Sequence, residues 1–88
     1  MASKTTLKTK LLSEYKNTCW AIGYWQRRFD LATTPEQQKY CSEGLQRNEK
    51  LKPGLELALS LAGIQISITD WHDAMVEGVT HVNEIYGQ

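Results

Sequence analysis

Leu7, Leu11, Tyr15, Thr18, Ile22, Trp25 and Phe29 follow one another at steps of 4, 4, 3, 4, 3 and 4. At about 100° per residue they fall into one narrow stripe. The spacing predicts a first helix from about Ser3 or Lys4 to about Leu31, with this stripe turned to the core. A strand cannot generate it, because side chains on a strand change face at every residue. Gly23 lies inside the pattern and costs up to about 1 kcal/mol relative to alanine, which makes sense where another helix approaches closely.

The next signal is a helix start. In "ATTPEQQ", Thr34 is placed to cap, Pro35 fits the first helical position, and Gln37 completes a capping-box spacing. A second helix is predicted from Pro35 to about Lys50, with modest apolar content in Tyr40, Cys41, Leu45 and Leu51. Lys50 and Lys52 suit a helix C-terminus, and Pro53-Gly54 is the strongest break in the chain.

"LELALSLAGIQISI" carries two periods at once. Leu55, Leu57, Leu59 and Leu61 alternate, as do Ile64, Ile66 and Ile68, and a hairpin turning at Ala62-Gly63 would explain that. Leucine, glutamate and alanine favour helix, however, and Gly63 fits a helix C-terminal cap. The favoured reading is a short helix from about Leu55 to Ala62 followed by an extended connector or short strand. Thr69 then opens a last helix, with Asp70 and Asp73 in its first turn. Its seam is Trp71, Met75, Val79 (with Gly78), Val82 and Tyr86, and it ends near Tyr86, before Gly87. The fold class that follows is all-α: a small three- to four-helix bundle with a long N-terminal helix, residues 1–88 forming one domain. The alternative is α+β with a short hairpin at residues 55–68.

Length sharpens this picture. A chain of 88 residues has room for a single small core worth a few kcal/mol, and folds of this size often lean on oligomerisation. Ten basic and ten acidic side chains cancel. That argues against a protein whose affinity comes from neutralising phosphates. Cys19 and Cys41 are too few for a disulfide scaffold and form no C-x-x-C pair, so they read as reduced thiols of a cytoplasmic protein. The N-terminus lacks the apolar run of a secretory signal, and no window approaches the ~18 apolar residues of a membrane span. Chains of this size are common among phage and mobile-element accessory proteins, and that origin is suggested by size alone.

Candidate chemistry is sparse. Asp73, Glu77 and His81 recur at i, i+4 and i+8 with Glu84 nearby, a spacing open to a divalent metal, but they read as a solvated polar face opposite the last seam. No H-E-x-x-H, nucleophile elbow or glycine-rich phosphate loop occurs. No catalytic residue, metal or cofactor is expected, and the chain is not read as an enzyme. "LALSLAGIQISITDW" faintly resembles a helix-turn-helix. Its recognition segment lacks arginine and lysine and carries an acid, so a DNA-binding regulator using residues 55–75 stands as the alternative. A small-ligand sequestering oligomer is a second alternative.

The weight of the sequence lies in "CWAIGYWQRRF", residues 19–29. Trp20 and Tyr24 fall opposite the first stripe, grouped with Leu31 and flanked by Lys16, Arg27 and Arg28. A helix with apolar side chains on both faces is either central in its fold or carries a second contact surface. Trp, Tyr and Arg are the residues enriched at interface hot spots. The expected function is therefore a non-enzymatic protein–protein interaction module, an adaptor, inhibitor or regulator that also self-associates. Trp20 and Tyr24 enter a partner pocket, Arg27 and Arg28 bond at its rim, and Leu31 completes the surface. The expected partner is another protein or a second copy, not nucleic acid or a membrane.

Overall fold

In a computed structural model, residues 3–86 are described, with the side chains of residues 6–86. Three helices follow in order: α1, Ser3–Leu31; α2, Pro35–Leu61; and α3, Ile68–Tyr86. No strand occurs among the described residues, which sets the hairpin alternative aside.

The largest departure from the sequence reading is α2. It runs unbroken through Pro53, where Pro53-Gly54 predicts a break, so the expected second helix and short helix are one element. Proline inside a helix forfeits one backbone hydrogen bond and crowds the carbonyl four residues earlier. Packing on both sides of Pro53 offsets that cost. Leu59 is fully buried, and Glu56 accepts hydrogen bonds from the Tyr15 hydroxyl and the Lys52 ammonium, both at 2.9 Å. Lys52, expected at a helix end, thus sits mid-helix in an ion pair with Glu56.

Local chemistry fixes the ends. Thr34 Oγ1 accepts from the Gln37 amide at 3.2 Å, and Gln37 Oε1 in turn accepts from the Thr33 amide at 3.1 Å. At the far end of α2 the Ile64 amide reaches the Leu59 carbonyl and the Gly63 amide reaches Ser60. This is the paired closure of a Schellman cap, with Gly63 at φ 74° supplying the left-handed residue. Ser67, not Thr69, opens α3. Its hydroxyl accepts from the Asp70 amide at 3.3 Å while the Asp70 carboxylate accepts from the Ser67 amide at 2.9 Å, a reciprocal capping box.

The fold is organised around α1, which packs against both α2 and α3, whereas the backbones of α2 and α3 stay apart. Pairings of Tyr15 with Glu56 and of Trp25 with Tyr40 make α1 and α2 antiparallel. Pairings of Lys16 with Asp70 and of Arg27 with Asn83 make α1 and α3 parallel. The result is elongated, 50 × 22 × 21 Å. Its core gathers Tyr15, Cys19, Leu59 and Ala74, with Leu11, Leu12, Trp71 and Met75 packed around them.

The stripe predicted on α1 is core only at its centre. Tyr15, Thr18 and Ile22 are buried, whereas Leu7 and Phe29 at its ends are exposed. Fully buried Cys19 lies off that stripe. On α3 the predicted seam holds at Val82, which is fully buried, but Ala74 and Gly78 are buried in place of Met75 and Val79, and Tyr86 is half exposed. The displacement has a steric cause. A Cβ on Gly23 would collide with the Met75 carbonyl, and one on Gly78 with the Trp20 carbonyl. The two helices cross backbone to backbone, and only small residues of α3 fit beneath.

Candidate partner-binding face

The five residues expected to form the contact surface fall on neighbouring turns of α1; Trp20, Tyr24, Arg28 and Leu31 form a connected run, while Arg27 is engaged separately. Trp20 and Tyr24 stack with centroids 5.2 Å apart and planes 14° from parallel. Their flank is the one that faces α3. His81 tilts against both, 5.3 Å from the Trp20 ring and 6.1 Å from Tyr24. Trp20 also packs against the buried core cluster. Both rings remain partly exposed, so the flank is half covered by α3 rather than enclosed.

From Tyr24 the ring contacts continue around α1. Tyr24 meets Trp25 edge to face at 5.0 Å, and Trp25 meets Tyr40 of α2 in the same way at 5.3 Å. Edge-to-face pairs place the positive ring edge against the negative face, worth about 0.5–1.5 kcal/mol beyond area burial. The row therefore links the side of α1 that faces α3 with the side that faces α2.

Arg28 lies over this row. Its guanidinium carbon is 5.7 Å from the Tyr24 centroid, 5.4 Å from Trp25, 5.9 Å from Tyr40 and 5.0 Å from Tyr86. One guanidinium nitrogen donates to the Tyr24 hydroxyl at 3.2 Å. Burial, the largest single effect, would lower the Arg28 pKa, but the Tyr24 hydrogen bond and the charge interactions with Tyr24, Cys41 and Tyr86 together outweigh it and the net shift is upward, so the charge is kept. Among the described residues no carboxylate lies within 4.0 Å of it. Four ring faces surround a cation whose remaining N–H groups have no acidic partner. Arg27 is differently engaged, donating to Asn83 at 2.7 Å and lying 4.0 Å from Asp30. Leu31 and Arg28 line a recess of about 310 Å³ with Thr33, Gln37 and Tyr86, above buried Cys41.

Tyr40, Tyr86 and His81 belong to this face without a clear sequence signal. Tyr40 and Tyr86 are half exposed at 59% and 51%. Spacing alone reveals Tyr24–Arg28 (i, i+4) and Trp25–Arg28 (i, i+3), since both pairs sit on one helix. Tyr40 and Tyr86 reach Arg28 from other helices and become visible only once the helices are packed.

The remaining chemistry stays dispersed. Among the described residues no group of three or more His, Cys, Asp or Glu is arranged to hold a metal. Asp73 and Glu77 line an open groove with Lys16 and Asp70, while His81 turns to Trp20. The Asp70 carboxyl is held below its ordinary range, first by the Ser67 backbone hydrogen bond and further by the Ser67 hydroxyl and Lys16, against the opposing effect of burial. No described helix is long and apolar enough to cross a membrane. Comparison of the chain with protein-family models, with curated proteins and with solved structures found no match.

Proposed function

We propose that this protein is a non-enzymatic, self-associating interaction module that acts in the cytoplasm as an adaptor, inhibitor or regulator of another protein. The reading takes the chain as a small bundle built on its long first helix. That helix presents Trp20, Tyr24, Arg27, Arg28 and Leu31 to the partner. The observation that carries it is the half-exposed ring row with Arg28 over it, a cation in contact with four rings and, among the described residues, with no acid within ion-pairing distance. Rigid rings and a pre-positioned guanidinium lose little entropy on docking. A partner carboxylate beside an apolar side chain is the complement such a surface selects.

The test is affinity capture from the native cytoplasm with wild type, Trp20→Ala and Arg28→Ala side by side. Hot-spot truncation costs about 2 kcal/mol or more of binding, so each variant should lose the captured protein while its helical circular dichroism persists. Trp20 also packs on the core, so Arg28→Ala decides the matter should Trp20→Ala unfold. Equal capture by a folded Arg28→Ala variant sinks the reading. Retardation of duplex DNA with steep salt dependence would favour the regulator built on residues 55–75. Thermal stabilisation by a nucleotide or metabolite would favour a sequestering protein.

A further inference from the structure

An uncovered aliphatic surface lies away from that face, on the outer side of α2. Leu51, Leu57 and Leu61 are 52%, 61% and 80% exposed. At 100° per residue Leu51, Gly54, Ala58 and Leu61 fall within about 80° of one another, with Leu57 alongside. Lys52, Glu56 and Leu59, the residues that meet α1, occupy the opposite side.

Three features of this stripe point to one occupant. The first is area. A compact monomer of 10.0 kDa exposes about 5200 Å². The whole elongated chain exposes 6214 Å², an excess of about 1000 Å² spread over the molecule, of which this stripe is one part. A standard stable interface removes about 800 Å² from each partner.

The second is symmetry. Leu51, Gly54, Ala58 and Leu61 are spaced 3, 4, 3, which reads the same in both directions. A two-fold interface demands that if residue i meets j, then j meets i. Two antiparallel α2 helices meet that demand with Leu51 on the partner's Leu61 and Gly54 on the partner's Ala58. The small residues then lie at the centre, where the backbones come closest. The other helical glycines are covered by neighbouring helices, Gly23 and Gly78 by backbone carbonyls and Gly44 by the Trp25 ring, whereas a Cβ on Gly54 would meet nothing within 4 Å.

The third is charge. The last turn of α2 is closed by its glycine cap but has no basic residue to complement the negative end of the helix dipole. The antiparallel register brings the partner's Lys50 beside Ala62, the cap of that turn, so each protomer supplies the cation the other lacks.

We infer that the outer face of α2, centred on Gly54 and Ala58, is a two-fold antiparallel homodimer interface. The inference rests on the self-association half of the reading above and is independent of the Trp20–Arg28 face. Sedimentation equilibrium of the full chain, from micromolar to submillimolar concentration, should show a reversible dimer. Leu61→Glu should raise its dissociation constant at least about tenfold by placing a charge in the interface. Because Leu61 is so exposed, that variant should keep its helical circular dichroism, and it should still capture the protein partner. Trp20→Ala or Arg28→Ala should lose that partner and remain dimeric, so the two surfaces fail separately. Register is read by mixing Leu51→Cys and Leu61→Cys proteins under mild oxidation. The 51–61 disulfide should dominate, the native cysteines being buried. A monomer at every concentration, an oligomer indifferent to Leu61→Glu, or a preference for 61–61 links overturns the inference. So does a monomer whose Leu61→Glu variant loses its captured partner, which would assign the stripe to another protein.

Discussion

The two contacts of α1 are built on opposite plans. Against α3 it meets backbone with backbone: Gly23 and Gly78 leave no room for a methyl beside the Met75 and Trp20 carbonyls. Against α2 it meets side chain with backbone. The Trp25 ring lies over Gly44, where a Cβ would be 2.6 Å from ring atoms, and Tyr15 reaches across to Glu56. A backbone carbonyl cannot step aside without moving its helix, whereas a half-exposed indole can rotate. The first contact should therefore be brittle and the second tolerant, although both contain a glycine.

Substitution at the crossing should produce the largest effect. Gly78→Ala gains up to about 1 kcal/mol in helix propensity but forces apart two backbones. Overpacking costs about 1–3 kcal/mol and more where nothing yields. A net loss of about 2 kcal/mol is expected, lowering Tm by roughly 8–16 °C for a domain of this size. Gly23→Ala should do the same, and the double variant should lose less than the two losses added, because the first methyl has already parted the helices. Wild-type stability in Gly78→Ala would mean that the backbones are not in contact.

Gly44→Ala should be milder, about 1 kcal/mol or less, because helix propensity partly offsets the displaced ring. Its signature is spectroscopic: as Trp25 swings outward, tryptophan emission should move to the red. A loss equal to that of Gly78→Ala would erase the contrast between the two contacts.

The smallest effect belongs to Glu56 and depends on pH. The Lys52 hydrogen bond, joined by that of Tyr15, holds its carboxyl below the ordinary 4.5 in spite of burial. A folded pKa below the unfolded one gives stability that is complete above the unfolded value and lost as pH falls through the folded value. Glu56→Gln should thus flatten the fall in stability below pH 4.5. It should cost under about 1 kcal/mol at neutral pH, since water screens the exposed pair. An unchanged acid limb would remove Glu56 from the α1–α2 contact.

Local signals proved legible in the sequence. The start of α2 at Pro35, the glycine cap after Leu61, and the centre of the α1 stripe at Tyr15, Thr18 and Ile22 all follow from spacing and capping chemistry. Pro53 misleads because its cost is local, whereas the packing of Leu59 and Glu56 that offsets it comes from 41 residues away in the case of Tyr15. The first two turns of the α3 seam are displaced because hydrophobicity points to Val79 and Met75, while the tight crossing selects Ala74 and Gly78 for their size; Val82 is buried as its spacing predicts. Arg28 was legible as a surface arginine beside aromatics, but two of its four rings arrive from α2 and from the end of α3. Pattern along one helix carries no information about which neighbour delivers them.

Cys19 and Cys41, fully or almost fully buried, give the molecule a pair of internal clocks. Neither sulfur can meet a thiol reagent until packing around it loosens, and burial pushes the Cys19 thiol up, which slows its attack further. Cys41 sits in the N-terminal half of α2, so it reports when that half lifts. Cys19 sits among residues contributed by all three helices, so it reports when the centre opens. The relative labelling rates of the two sulfurs thus separate local breathing from collective unfolding, with no foreign probe attached.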